Sequence, residues 1–524
     1  MTLRRYHAAV WDEPLVMELS REGRRGFVVP DAGVPGDAAS LVPEAIRRAE
    51  PPALPELSEY EVLRHYLHLS QETLGMMGVS LFGTCTMKYN PRLGEALAAR
   101  PELAQVHPYQ DEETLQGVLE IIHGFDRILR GLSGMDQFVF QAGGGAHAAY
   151  TFAAIARAYH AERGELEQRD EVITTIQAHP CNAATAAAAG FKVVTLMLDE
   201  NGYPSLDALR SAISDRTAAL MTNNPDDMGI YNPEIDEWVR IVHEAGGLCF
   251  YDHANFNGVM SKIRARDLGF DACMYMLHKT FGAPKGGNGP SVGAFGCTEE
   301  LAPFLPRPVV VRDGDRYRLD DDRPRSIGKV REFWGNVPQV VKAYAWARAM
   351  GADGIAEASD LSVLANNYME KRLLEIQGLT KSHPHLDGYR MEMTRYGLGK
   401  LQEETGVGVV DVENRMTDYG IDAPWLSHEP WVVPEPITPE AGELWSKEDI
   451  DYWIDVLAQV VREAYEDPEL VRTSPHNQVV HRTADVDLDD PDVWATTWRA
   501  YLRKRGGGTA PRGEPSEDWA KVAT

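Results

Sequence analysis

The residues with the clearest chemistry stand where short apolar runs end. The run LCFYD finishes on Asp252, within Tyr251-Asp252-His253-Ala254-Asn255, and CMYML leads straight into His278-Lys279-Thr280-Phe281. A third run, QFVFQ, opens onto Ala142-Gly143-Gly144-Gly145-Ala146-His147 and then the helical stretch AAYTFAAIARAYHAE. A glycine-rich turn feeding a helix offers free backbone N–H groups and the positive end of the helix dipole, which suits a phosphate. The same turn also reads as a plain strand-to-helix connection. It is not G-x-G-x-x-G with an acid at the expected place, so a dinucleotide is the weaker reading. A phosphate turn, then an aspartate at one strand end, then a lysine at a later one, is the order that pyridoxal 5'-phosphate (PLP) catalysis requires. The lysine amine forms the Schiff base, and the carboxylate keeps a proton on the pyridine nitrogen so that the ring accepts electrons.

Such residues need a frame that brings strand ends together. The apolar runs at 137 to 141, 171 to 176, 192 to 198, 218 to 223, 248 to 252, 273 to 277 and 292 to 297 alternate with helical stretches. That pattern predicts an α/β fold, a mostly parallel sheet covered on both faces, with its ligand at the carboxyl ends of the strands. Residues 1 to 60 are rich in Pro, Gly and charge and read as an N-terminal arm. Residues 61 to 340 read as the large PLP-binding domain and 341 to 468 as a smaller α+β C-terminal domain. The remainder, 469 to 524, reads as a polar tail.

The chain has 524 residues, 44% of them apolar, with 52 basic against 79 acidic side chains and a net charge of −27. So acidic a surface is repelled by phosphate backbones and anionic lipid, which argues against nucleic acid and membranes as partners. Five scattered cysteines without a C-x-x-C pair argue against a metal ribbon or a disulfide framework and fit a reducing cytoplasm. The N-terminus lacks a signal-like apolar stretch, and no window approaches the roughly 18 to 20 apolar residues of a membrane span.

The motifs RHYLHLSQETLG, GTCTMKYNPRLGE, HPYQDEETLQG, AHPCNAATAAAAGFKVV, VHEAGGLCFYDHANFNG, LHKTFGAPKGGNGP and RPRSIGKVREFWGN together carry a family resemblance. The sequence resembles the glycine dehydrogenase (decarboxylating) family, the P-protein of the glycine cleavage system, and within it subunit 2, the β-type chain. The resemblance implies a fold-type I PLP-dependent enzyme with Lys279 bonded to the cofactor and Asp252 facing the pyridine nitrogen. It places His179 against the cofactor ring and Gly145, Ala146 and His147 on its phosphate side. His278 would contact the phosphate or the substrate carboxylate, and Asn224 and Asn255 would be polar neighbours of the cofactor. Thr86, Lys88 and Tyr89 resemble a substrate-entry loop. The partners implied are a small amino acid, a second chain in a homodimer or an α-type subunit in a heterotetramer, and a lipoyl carrier protein.

Several neighbours of these residues depart from the family pattern. Cys181 follows Pro180 after His179, Lys285 stands in the glycine-rich segment after Lys279, and His253 takes the place of a glycine beside Asp252. A bulky, titratable ring at 253 is expected to reshape the substrate pocket. Two reactions therefore stay open. One is decarboxylation of glycine with transfer of the aminomethyl group to the lipoyl carrier. The other is a diverged PLP reaction of specialised metabolism on a larger amino acid, by C–C bond formation or by β- or γ-elimination or replacement.

Overall fold

In the computed structural model one seven-stranded sheet runs in the order β1-β7-β6-β5-β4-β2-β3. Its strands are β1 (Gln137–Ala142), β2 (Glu171–Thr175), β3 (Lys192–Leu196), β4 (Thr217–Thr222), β5 (Leu248–His253), β6 (Ala272–Met276) and β7 (Gly293–Cys297). All seven apolar runs of the sequence are present, shifted at their ends by one or two residues. β2, β3, β4, β5 and β6 pair in parallel, while β7 lies antiparallel to both β6 and β1. Every residue of β4 and β5 is buried, as a central parallel strand covered on both faces requires. The structure describes residues 1–524 except 1, 2, 4, 5, 32, 34, 51, 74–78, 82–89, 285–290, 422–431, 480–496 and 505–524.

Alternation along each strand divides the core into two layers. Tyr251 and Tyr275 join one layer with Leu119, Phe125 and Trp238. Phe250 and Met274 join the other, with Ala148, Ala149 and Phe152 of the helix Gly145–Glu162. That helix can sit low on the sheet because alanines line its inner face and because it begins with glycine. A Cβ at Gly145 would stand 2.6 Å from the Met276 Cε. On the opposite face the helix Gln116–Ser133 ends at Gly134, whose φ of 76° provides the left-handed stop.

Most of the helical pattern LSVLANNYMEKRLLEI, 361 to 373, falls within Val337–Leu373, two helical stretches joined across a break at Gly351 with φ 64°. The pattern SKEDIDYWIDVLAQVVREAYED becomes the helix Lys447–Glu466. A small sheet of Thr380–Lys381, Tyr396–Gly397 and Pro436–Ile437 accompanies them.

The chain divides into two compact units. One holds Ser80–Val409 and Ala423–Glu466, and therefore the seven-stranded sheet. The other gathers Thr2–Val79, Val410–Asp422 and Asp467–Thr524. Within this second unit Ser58 and Glu61 form a capping box at the start of the helix Glu59–Gln71. Glu13 receives His65 and His68, each at 2.6 Å. The Ala8 N–H donates to the Asn477 carbonyl, so the first and last stretches of the chain share one unit. Among the described residues no helix is long and apolar enough to cross a membrane.

Candidate active site

β5 and β6 are parallel neighbours with Asp252 opposite Met274, so their carboxyl ends bring the aspartate and the lysine to one edge. Asp252 lies on the face of Phe250, toward the helix Gly145–Glu162. Its Oδ1 accepts from the Ala254 N–H at 2.9 Å and its Oδ2 from the Asn182 Nδ2 at 3.1 Å. Burial pushes this carboxyl above the usual carboxylate range, and His179, the Ala254 N–H, Lys279 and Asn182 pull against it. Lys279 is only 2% exposed. Its backbone N–H turns back to the Met276 carbonyl, and its Nζ donates to the Asn255 Oδ1 at 3.1 Å.

β1 supplies the third corner. Gly144 precedes the 18-residue helix and no side chain among the described residues caps it, which leaves the first N–H groups at Gly145, Ala146 and His147 for an anion. The His147 ring belongs to the turn itself. Its Nδ1 accepts from the Gly143 N–H at 3.1 Å, it hydrogen-bonds to the Val330 backbone, and burial holds its pKa below the ordinary value.

His179 combines two roles. Its Nδ1 accepts from the Cys181 N–H at 3.1 Å at the start of the helix Cys181–Ala188, and its ring lies near enough to Asp252 to draw that carboxyl's pKa down. His278 is buried one residue before Lys279. Asn224 spends its amide on its own loop, donating to the Asn232 carbonyl at 3.1 Å and accepting from the Asn232 N–H at 2.8 Å. Its carbonyl takes the Tyr251 hydroxyl.

One expectation is corrected. His253 does not face the pocket beside Asp252. As the next residue in β5 it points to the opposite face, where its ring lies 3.7 Å from that of Tyr251, 5.0 Å from Phe256 and 5.5 Å from Tyr275. Burial in this aromatic layer pushes its pKa down to about 3, so the ring is neutral at physiological pH. Thr86, Lys88, Tyr89 and Lys285 lie outside the described residues.

The structure adds groups that sequence reasoning passed over. Asn182, fully buried, is the side chain that fixes Asp252. The motif AHPCNAA contains it, but nothing in the spacing marks which of its polar residues reaches the aspartate. Asp227 is a second buried acid, held by the Asn223 Nδ2 at 3.1 Å. The Cys181 thiol lies within the field of the same groups. Burial first, then Asp252 and Asp227, push its pKa well up while Lys279 opposes them. It therefore sits there as a neutral thiol.

These donors fit PLP. A buried amine held by a side-chain amide, a buried carboxylate with its own orienting amide, and an uncapped helix start match the aldehyde, pyridine nitrogen and phosphate of that cofactor. The Asn182 Oδ1 is buried without a hydrogen-bond partner among the described residues, as expected beside a site shaped for a further group.

Comparison with known proteins agrees. Residues 131–387 match the family model for aminotransferase class-V, and residues 358–483 match that for the glycine dehydrogenase C-terminal domain. The chain is 42% identical over 506 residues to a probable glycine dehydrogenase (decarboxylating) subunit 2 of Pyrococcus abyssi, covering 96% of this chain and 99% of that one. The protein of the same name from Thermococcus gammatolerans is 43% identical with the same coverage. That of Bacillus licheniformis is 40% identical over 473 residues, covering 90% and 96%. The crystal structure of an inhibitor-bound glycine decarboxylase (P-protein) of the glycine cleavage system superposes with a TM-score of 0.67 at 20% identity, covering 80% of this chain and 93% of the other. A cysteine desulfurase from Escherichia coli gives 0.55 at 18% identity, covering 74% and 95%. These two structures establish the shared fold, and the close relatives establish the lineage: the chain belongs to the glycine dehydrogenase (decarboxylating) subunit 2 family and is a PLP-dependent enzyme of fold type I.

Proposed function

We propose that the protein decarboxylates glycine as the catalytic chain of a glycine cleavage system and passes the aminomethyl group to the lipoyl arm of a carrier protein. The observation that carries this reading is the pairing of β5 with β6, which sets the buried Asp252 and the Lys279 amine at adjoining strand ends. When bound, PLP supplies an electron sink for the pair left behind as the carboxylate departs as carbon dioxide.

The protein's own groups do the rest. Lys279 would hold the cofactor through its amine and would move a proton at the substrate nitrogen, while Asn255 holds its Nζ in place. Asp252, aligned by Asn182 and the Ala254 N–H, would hold the proton on the pyridine nitrogen. His179 would lie against the ring, and the start of the helix Gly145–Glu162 would take the phosphate. His278 serves the phosphate or the substrate carboxylate. Asp252 and Lys279 are both buried, so each charge acts in a low dielectric.

With His253 facing the aromatic layer, no bulky side chain at that position narrows the pocket, which favours glycine over a larger amino acid. An α-type subunit lacking the lysine completes the assembly, and the enzyme works in the cytoplasm, in keeping with the free thiols of Cys181, Cys249, Cys273 and Cys297. Reduction of the yellow holoenzyme with borohydride followed by peptide mapping tests the assignment. The label should appear on the peptide holding Lys279, and a label on another lysine would overturn it.

A further inference from the structure

The helix start that receives the phosphate has two unassigned neighbours, Arg331 and Ser291. The Arg331 Nη1 lies 3.0 Å from the point where a Cβ on Gly143 would sit, so the guanidinium reaches the glycine turn itself. That nitrogen is buried and has no hydrogen-bond partner among the described residues. The only ion pair at this side chain among those residues is Nε with the exposed Glu332 Oε2, at 3.5 Å, which leaves Nη1 directed at the turn.

Ser291 lies on the same turn, where its backbone N–H donates to the Gly143 carbonyl at 3.1 Å. Its side chain is 2% exposed, and its Oγ also has no partner among the described residues. A Cβ on Gly144 would meet nothing within 4 Å, so open space remains at the point where these donors and the helix N-terminus meet. His147 ties this arrangement together, because its ring bridges the Gly143 N–H and the Val330 backbone, the residue before Arg331.

A guanidinium N–H and a hydroxyl buried without acceptors are costly to the folded chain unless a ligand satisfies them. Helix N–H groups alone offer partial positive charge, whereas a phosphate monoester is a dianion near neutral pH. A forked guanidinium supplies a full charge with matching geometry. We propose that the Arg331 guanidinium and the Ser291 hydroxyl are phosphate ligands that complete the cradle at the start of the helix Gly145–Glu162. The proposal rests on the PLP reading above and extends it to two residues given no role in the sequence reading.

The test compares cofactors that differ only in the phosphate. Full-length protein stripped of cofactor is titrated with PLP and with pyridoxal, followed by visible absorbance, for wild type, Arg331→Gln, Arg331→Lys and Ser291→Ala. Arg331→Gln should weaken PLP by about ten- to a hundredfold, the value of a charge-assisted contact, and leave pyridoxal within about twofold. Arg331→Lys should recover part of the loss, and Ser291→Ala should show a smaller loss of the same selectivity. Inorganic phosphate should compete with PLP in wild type and far less in Arg331→Gln.

Equal weakening of PLP and pyridoxal would mean that Arg331 acts only on the fold and would overturn the proposal. So would unchanged PLP affinity with a raised KM for glycine, because the guanidinium would then serve the substrate carboxylate. Wild type that binds neither cofactor would remove the PLP reading and this proposal together, an outcome distinct from failure of the variants alone.

Discussion

At the residue scale the site is a small set of charges held in place by neutral amides. Asp252 is aligned by Asn182 and Lys279 by Asn255, each at 3.1 Å. Changing Asp252 to Asn keeps shape and hydrogen-bonding capacity but removes the charge that holds the pyridine proton. The variant should still bind PLP and lose turnover by about a thousandfold or more, which steady-state kinetics on the loaded enzyme would measure. Near-full activity would exclude ring protonation as a source of rate. Lys279→Ala should lose turnover almost completely, since bonding to the cofactor and proton movement at the substrate nitrogen both need that amine. Asp252, Lys279 and the glycine turn stood out from the order of polar residues after strands, whereas His179 came only from the family resemblance. Asn182 and Asp227 did not stand out, because a single amide at a helix start and a single acid in a loop carry no distinctive spacing until the fold shows what they face.

At the element scale the two-residue alternation of β5 decides which side chains belong to chemistry and which to packing. Asp252 and His253 are neighbours in sequence yet lie on opposite faces. The resemblance drew attention to both, and only the strand period separates them. This makes His253 a stability group. Its folded pKa, about 3, lies below the ordinary value of about 6.5, so between those values the unfolded chain binds the extra proton. The stability it permits is fully present above pH 6.5 and falls as pH drops toward 3. By pH 5 the loss is about 2 kcal/mol, from about 1.4 kcal/mol per pH unit. His253→Phe keeps the aromatic packing and cannot protonate, so its denaturation midpoint should fall less than that of wild type between pH 7 and pH 5. Its KM for glycine should stay unchanged, whereas a shift in substrate preference would return the ring to the pocket.

The same scale explains how far the fold could be read. The seven strands were visible because each is a short apolar run closed by polar residues, and the helices Gly145–Glu162 and Lys447–Glu466 because their apolar positions recur at helical spacing. The break at Gly351 was not, since one glycine within a long helical pattern does not reveal whether its φ turns positive. Nor was the sharing of one unit by the two ends of the chain, where single backbone bonds such as Ala8 to Asn477 leave no trace in composition.

At the scale of the whole molecule, fold-type I sites are generally completed by a second chain. Light scattering should give the mass of a dimer, or of a heterotetramer when the α-type chain is supplied, and a fully active monomer at nanomolar concentration would contradict that assembly. The most direct test of the central claim is exchange of labelled bicarbonate into the carboxyl group of glycine, with the α-type chain and a lipoyl carrier present. Wild type should incorporate the label, and Lys279→Ala should not. Wild-type protein that is loaded with PLP and supplied with both partners, yet leaves glycine unlabelled while decarboxylating a larger amino acid, would contradict the account.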